Sequence, residues 1–163
     1  MADSDGATTG GSFFDTVHRQ RACRQFADRP VDDDLVERCL RAATHAPSAE
    51  NLQPWVFVVV RDPGLRAEIG ALTRLAWRQG GRQHSEGRLS DRLLREVDRG
   101  AEGGIGSAPV IVVVCGDTAI GLESTLASSV FPATQNLLLS ATALGLGSAM
   151  TTLATVFADE LRV

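Results

Sequence analysis

Ala46-Pro47-Ser48-Ala49-Glu50-Asn51-Leu52-Gln53-Pro54-Trp55 runs directly into the apolar stretch Val56-Phe57-Val58-Val59-Val60. Prolines, small residues and amides favour a turn in the first part. The continuous apolar run after it, β-branched except at Phe57, predicts a strand buried on both faces. Upstream, Arg21-Ala22-Cys23-Arg24-Gln25-Phe26 puts two guanidiniums three residues apart. Small residues let a flat ring approach the backbone, Asn51 offers both donor and acceptor, and arginines clamp anionic oxygens in a bidentate fork.

Working outward, Ser12-Phe13-Phe14-Asp15 reads as a capping box opening a short helix to about Gln20. A second helix starts near Asp32, with three aspartates at its positive end and Leu35, Val36, Cys39, Leu40 and Ala43 at helical spacing. Pro47 is its expected stop. Asp62-Pro63 supplies an N-cap and an N1 proline for a third helix, with Leu65, Ile69, Leu72 and Ala76 inward. Gly80–Leu89, polar and aperiodic, reads as a mobile loop, and Ser90–Asp98 as a short helix with Leu93, Leu94 and Val97 inward. Ala101–Ser107 reads as a flexible glycine-rich linker before a second buried strand, Pro109–Cys115. A long apolar helix follows from about Leu122 to Leu144, with Pro132 placed to kink it and Gly145 and Gly147 at its end. Ser148–Thr152 suggests a short strand, and Ala154–Arg162 a last helix. The pattern is α+β, with no internal repeat.

The 163 residues suit one domain with its own core. A 44% hydrophobic, 22% charged composition is that of a globular chain. The formal net charge is −4, and no basic block marks a nucleic-acid surface. Cys23, Cys39 and Cys115 are isolated and suit a reducing compartment. Cys23 reads as a spectator thiol, since no resolving partner lies near it in sequence. His18, His45 and His84 form no metal-binding pair. Met1–Gly11 is small and polar and reads as a disordered tail, without the basic and apolar regions of a signal peptide. Pro109–Cys115 and Leu137–Met150 are too short to span a bilayer. A cytoplasmic location is expected.

The order Arg21…Arg24…Phe26…Pro30-Val31…Ala46-Pro47-Ser48…Asn51…Gln53-Pro54-Trp55 resembles the signature of the FMN-dependent nitroreductase family. The resemblance implies a nitroreductase-like fold over residues 12–163, helices around a small, mainly antiparallel sheet. It also implies a homodimer with flavin sites at the interface. It places Arg24 at the pyrimidine edge of FMN, and Arg21 with the Ala22 backbone at the phosphate and ribityl chain. Pro47, Ser48, Ala49 and Asn51 would reach the flavin from the partner subunit. Gln135–Leu139 and Ala143–Ser148 resemble the family's late helix and the turn after it, which puts Met150, Thr151 and Thr152 near flavin N5. Trp55 reads as core or interface. Gly145-Leu146-Gly147 reads as a helix end, since it lacks a dinucleotide fingerprint's third glycine and preceding strand. Gly100–Gly106 lacks the Lys-Ser/Thr of a P-loop.

The activity implied is ping-pong hydride transfer from NAD(P)H, through FMN, to a small-molecule acceptor such as a quinone or nitroaromatic. No side chain is required as nucleophile or obligatory acid. Dehalogenation and oxidative flavin destruction belong to the same chemistry, and no residue selects them. Gln20 and Ala22 stand where the family often has arginine and serine. Family members also continue past the position of Val163 into another strand and a further phosphate-contacting basic residue. These departures motivate the alternative of a catalytically weak or silent flavin-fold protein, acting as a dimerisation or FMN-sequestering module.

Overall fold

The computed structural model describes residues 12–161; the expected tail and the last two residues lie outside them. Helix α1 (Phe13–Arg19) opens on the expected capping box: Asp15 N–H donates to the Ser12 hydroxyl, and Ser12 N–H donates back to the Asp15 carboxylate, both at 3.2 Å. Helix α2 (Asp33–Ala43) carries Asp33 and Asp34 in its first turn, where they meet the positive end of the backbone dipole. It closes at Thr44, so Pro47 lies beyond the stop rather than making it.

Strands β1 (Trp55–Val60) and β2 (Ile111–Gly116) form a two-stranded antiparallel sheet, in register from Trp55 opposite Gly116 to Val60 opposite Ile111. Arginines tie its ends. Arg61 donates to the Val31 carbonyl at 2.9 Å, and Arg66 to the Ala108 carbonyl at 2.6 Å. The longest helix, α6 (Glu123–Ala143), contains Pro132 and packs on α2 and on the sheet. Ala43, Ala46, Trp55 and Ala133 make the buried centre, with Phe57, Val130 and Leu137 packed around it. Trp55 is thus a core residue. Small residues at Ala43 and Ala133, both fully buried, let two helix backbones come close.

Only one face of β1 is in that core. Trp55 is buried, whereas Val56 and Val58 are 44% and 48% exposed, which corrects the expectation of a strand covered on both sides. Side chains alternate across a strand, and α6 covers the Trp55–Phe57 face alone. Apolar composition could not reveal that the other face stays open at Val56 and Val58 and is covered only at Val60.

The stretch between β1 and β2 is more ordered than its glycines suggest. Helix α3 (Pro63–Ala76) begins on the Asp62 cap, whose carboxylate accepts Leu65 N–H at 2.9 Å. Ile69, Leu72 and Ala76 turn inward with Gly70 and Thr73, but Leu65 is exposed. A π-type turn, Trp77–Gly81, leads into the short helix α4 (Arg82–Ser85), where a mobile loop was expected. Helix α5 (Asp91–Arg99), capped by the Ser90 hydroxyl, continues into a second π-type turn, Gly100–Gly104, where a linker was expected. After α6, Gly145 takes φ +77°, the left-handed backbone that ends helices. Ser148 makes a single parallel bridge to Ala22 in place of a strand, and Leu153–Phe157 is a 3-10 turn in place of a longer helix.

Ser129 joins the layers. It is 1% exposed; its hydroxyl donates to Thr125 C=O at 3.0 Å and accepts Ala49 N–H at 3.1 Å. Removing it leaves a shielded N–H without a partner, which costs about 1–3 kcal/mol. Ser129→Ala is therefore expected to lower the urea midpoint with an unchanged m value, and an unchanged midpoint would show that the Ala49 contact is not held.

Candidate flavin site

Two segments far apart in sequence meet where the chain leaves α6. Cys23 N–H donates to Ser148 C=O at 2.8 Å, the bond that accompanies the Ala22–Ser148 bridge. It lays the arginine segment along the chain that leaves α6. Arg24 then lines a cavity of about 230 Å³ with Trp77, Gly100, Ala101, Met150, Thr151 and Thr152. Arg24 and the Met150–Thr152 stretch, singled out from sequence, thus come together in one chain. The Ser148 hydroxyl oxygen is shielded from solvent beside them, with no hydrogen-bond partner.

Arg21 is exposed and donates to Gln20 C=O at 2.7 Å. Pro47, Ser48, Ala49 and Asn51 do not line this cavity. They form a separate loop held by its own bonds: Asn51 N–H to Ser48 C=O at 3.1 Å, Gln53 N–H to the Ser48 hydroxyl at 3.0 Å, and the Gln53 amide to Asn51 Oδ1 at 3.1 Å. Glu50, Asn51 and Gln53 all take positive φ, at 53°, 57° and 51°. Asparagine tolerates that conformation and the other two are strained in it. Three such residues within four positions mark a loop whose shape is over-determined by its surroundings. A larger groove of about 560 Å³, lined by Leu35, Cys39, Val112, Leu137 and Ala141, includes none of the candidate cofactor residues.

Sequence reasoning missed Trp77, Gly100, Ala101 and Ile105 as cavity residues, because nothing in their local pattern points to a site. Trp77 is 2% exposed and its indole N–H donates to Asp98 at 2.9 Å; Arg82 reaches the same carboxylate oxygen at 3.2 Å. Arg78 holds Glu102 through Nε at 2.9 Å and through a second guanidinium nitrogen. The Arg78–Glu102 contact ties one π-type turn to the other, and the Asp98 contacts tie the first turn and α4 to α5. Asp98 and Glu102 lie 21 and 24 residues from Trp77 and Arg78, a separation invisible to a local pattern. No cluster of His, Cys, Asp and Glu able to hold a metal ion occurs among the described residues. No described helix is long and apolar enough to cross a membrane.

The sequence model of the Nitroreductase family matches residues 17–162. The chain belongs to that family. Among relatives, an Archaeoglobus fulgidus protein provisionally named NADH dehydrogenase/NAD(P)H nitroreductase is 31% identical over 134 residues, covering 81% of this chain and 62% of its own. A Methanothermobacter thermautotrophicus protein with the same provisional name is 27% identical over 90% of this chain and 64% of its own. The chain therefore spans somewhat less than two thirds of the length of these relatives. A nitroreductase structure with bound FMN from Desulfitobacterium hafniense matches with a TM-score of 0.70 at 25% identity, over 92% of this chain and 75% of that one. A second FMN complex, a provisionally named nitroreductase from Desulfovibrio desulfuricans, matches with a TM-score of 0.70 at 27% identity, over 91% and 73%. The nitroreductase-like α+β fold is thereby confirmed.

The Arg78–Glu102 pair gives the two π-type turns a pH signature. The hydrogen bond from Arg78 holds the Glu102 carboxyl below its ordinary value of 4.5, and the positive charges of Arg78 and Arg74 act in the same direction. A carboxyl with a lowered folded pKa adds stability that is present above the unfolded value and is lost as pH falls through the folded one. Glu102→Gln is expected to speed amide exchange in Trp77–Gly81 and Gly100–Gly104 at neutral pH. That difference should close as the pH drops below 4.5. A difference that persists at low pH would separate the turns' order from this charge.

Proposed function

We propose that this nitroreductase-family chain is an FMN-dependent oxidoreductase that passes a hydride from NAD(P)H to a small organic acceptor of the quinone or nitroaromatic kind. The observation that carries the reading is the meeting of Arg24 with Met150–Thr152 around one cavity. The donor set suits one edge of a flavin. The Arg24 guanidinium would face developing negative charge, and an indole and Met150 form an apolar wall; Ser148, just before the lining stretch in sequence, carries a shielded hydroxyl without a partner. When bound, FMN would supply the hydride-carrying ring itself.

The protein's own residues do the rest. The Arg24 guanidinium favours the more negative form of whatever ring lies against it. Arg21, exposed three residues before it, would turn from the Gln20 carbonyl to meet the cofactor's phosphate. The backbone of Met150, Thr151 and Thr152 would orient the ring, and Trp77 with Ala101 excludes water from one wall. Pro47, Ser48, Ala49 and Asn51 would complete the site from a second copy of the chain. Phe13, Phe14 and Phe131, which are 67%, 70% and 52% exposed, support an interface of that kind, since large exposed apolar side chains in number mark contact sites.

The test is titration of the apo-protein with FMN, with sedimentation to read the assembly. A yellow complex that NADH or NADPH bleaches is expected, at twice the chain mass. Arg24→Ala should weaken FMN by about ten- to a hundred-fold, the equivalent of about 1.5–3 kcal/mol for a charge-assisted contact. A protein that binds no FMN at any concentration would instead support the silent module, and a tight FMN complex that is monomeric would refute the shared site.

A further inference from the structure

Three glycines crowd the arginine segment, and their reason for being glycine differs from that of Gly145 at the end of α6. At Gly145, where φ is +77°, an added Cβ would meet nothing within 4 Å, so backbone conformation alone explains that residue. Gly100, Gly104 and Gly147 have ordinary backbone that any residue could adopt, and what they lack is space. A Cβ on Gly104 would lie 2.0 Å from the Arg24 carbonyl oxygen. On Gly100 it would lie 3.0 Å from both Cβ and Cδ of Arg24 and 3.3 Å from Cγ. On Gly147 it would lie 2.9 Å from the Cys23 sulfur. Gly103, in the same turn as Gly100 and Gly104, has nothing within 4 Å. Glycine at that position therefore has no packing reason, and within this turn the crowding falls on Gly100 and Gly104, which face Arg24.

We infer that Gly100 and Gly104, one turn apart on the segment that follows α5, are positioning residues for Arg24. With Gly147 on the other side they form a slot that sets where the guanidinium enters the cavity. The slot's far wall belongs to the same π-type turn that Arg78 and Glu102 tie to Trp77. The two glycines thereby control the arginine without themselves supplying a group to the cofactor. Gly100 acts on the stem of the side chain; Gly104 acts on the backbone. This rests on the flavin role proposed for Arg24.

A double-mutant cycle tests it in the 163-residue protein: wild type, Gly100→Ala, Arg24→Ala and the pair, with Gly103→Ala as a control in the same turn. Arg24→Ala deletes Cγ and Cδ, two of the three atoms that the new methyl would meet. Three readouts are taken: the Kd for FMN by fluorescence quenching, the reduction potential of the bound FMN, and the Tm of the apo-protein. Gly100→Ala is expected to weaken FMN at least about five-fold when Arg24 is present and less than about two-fold when Arg24 has been replaced. It should shift the potential in the same direction as Arg24→Ala. Gly103→Ala should change the Kd by less than about two-fold.

Alanine favours helical backbone over glycine. Only the clash of the new methyl with the Arg24 stem opposes that gain, so Gly100→Ala should lower Tm when Arg24 is present. In the Arg24→Ala background it should lower Tm by less than half as much, or raise it. Equal weakening of FMN in both backgrounds would overturn the inference, as would a Gly103→Ala effect as large as that of Gly100→Ala. If wild type binds no FMN, the proposed function fails on its own. The apo Tm cycle then decides the slot: background-independent changes would refute it, and the expected dependence on Arg24 would uphold it.

Discussion

The close approach of α2 to α6 at Ala43 and Ala133 is the contact on which the rest of the molecule hangs. Two fully buried alanines allow the helices to meet without intervening side chains, and Trp55 and Phe57 from β1 pack into the remaining space. A larger residue at either alanine would push the helices apart and would also lift the sheet. From that contact α6 reaches both ways. Ser129 holds the Pro47–Asn51 loop by the Ala49 N–H, and Asn136 caps α2 by donating to Ala42 C=O at 3.2 Å. The chain leaving α6 at Gly145 then meets Ala22 and Cys23. One helix thereby places both halves of the candidate site.

The segment between the strands completes the cavity by a different kind of physics. It has few large apolar residues pointing inward and relies on close backbone approaches and charge. A Cβ on Gly70 would come within 2.7 Å of the Gly106 Cα, so α3 and the end of the second π-type turn pass almost in backbone contact. Arg78, Arg82, Asp98 and Glu102 link the turns across the surface. Exposed ion pairs contribute little to global stability, but here they act on local geometry. Their partners are the turns that carry Trp77 and Gly100 into the cavity wall.

Much of the fold was legible before any coordinates. Ser12 with Asp15, Asp62 with Pro63, Ser90 and Gly145 each mark an element boundary through a short-range bond or a backbone angle. Such signals act within three or four residues and are readable locally. The arginine segment, the Ala46–Trp55 string and the stretch after α6 were equally legible as a family signature. The stretches 80–89 and 101–107 were misread because glycine and polar composition lower helix propensity, while tertiary contacts at Gly81, Gly100 and Gly104 supply the compensation. Val56 and Val58 were misread for the complementary reason: composition records that a residue is apolar, not whether anything covers it.

What the sequence determined by itself was the capped local elements, the family and the residues proposed for the cofactor site. These depend on side-chain type and spacing along the chain, which can be read directly. Only the tertiary structure decided that Arg24 shares a cavity with Met150–Thr152 while Pro47–Asn51 lies apart. Likewise, only the tertiary structure gave the glycines at 100 and 104 a reason in space rather than in backbone freedom. Such juxtapositions arise from helix crossings and close backbone approaches between residues many tens of positions apart, and no local pattern along the chain encodes their distance.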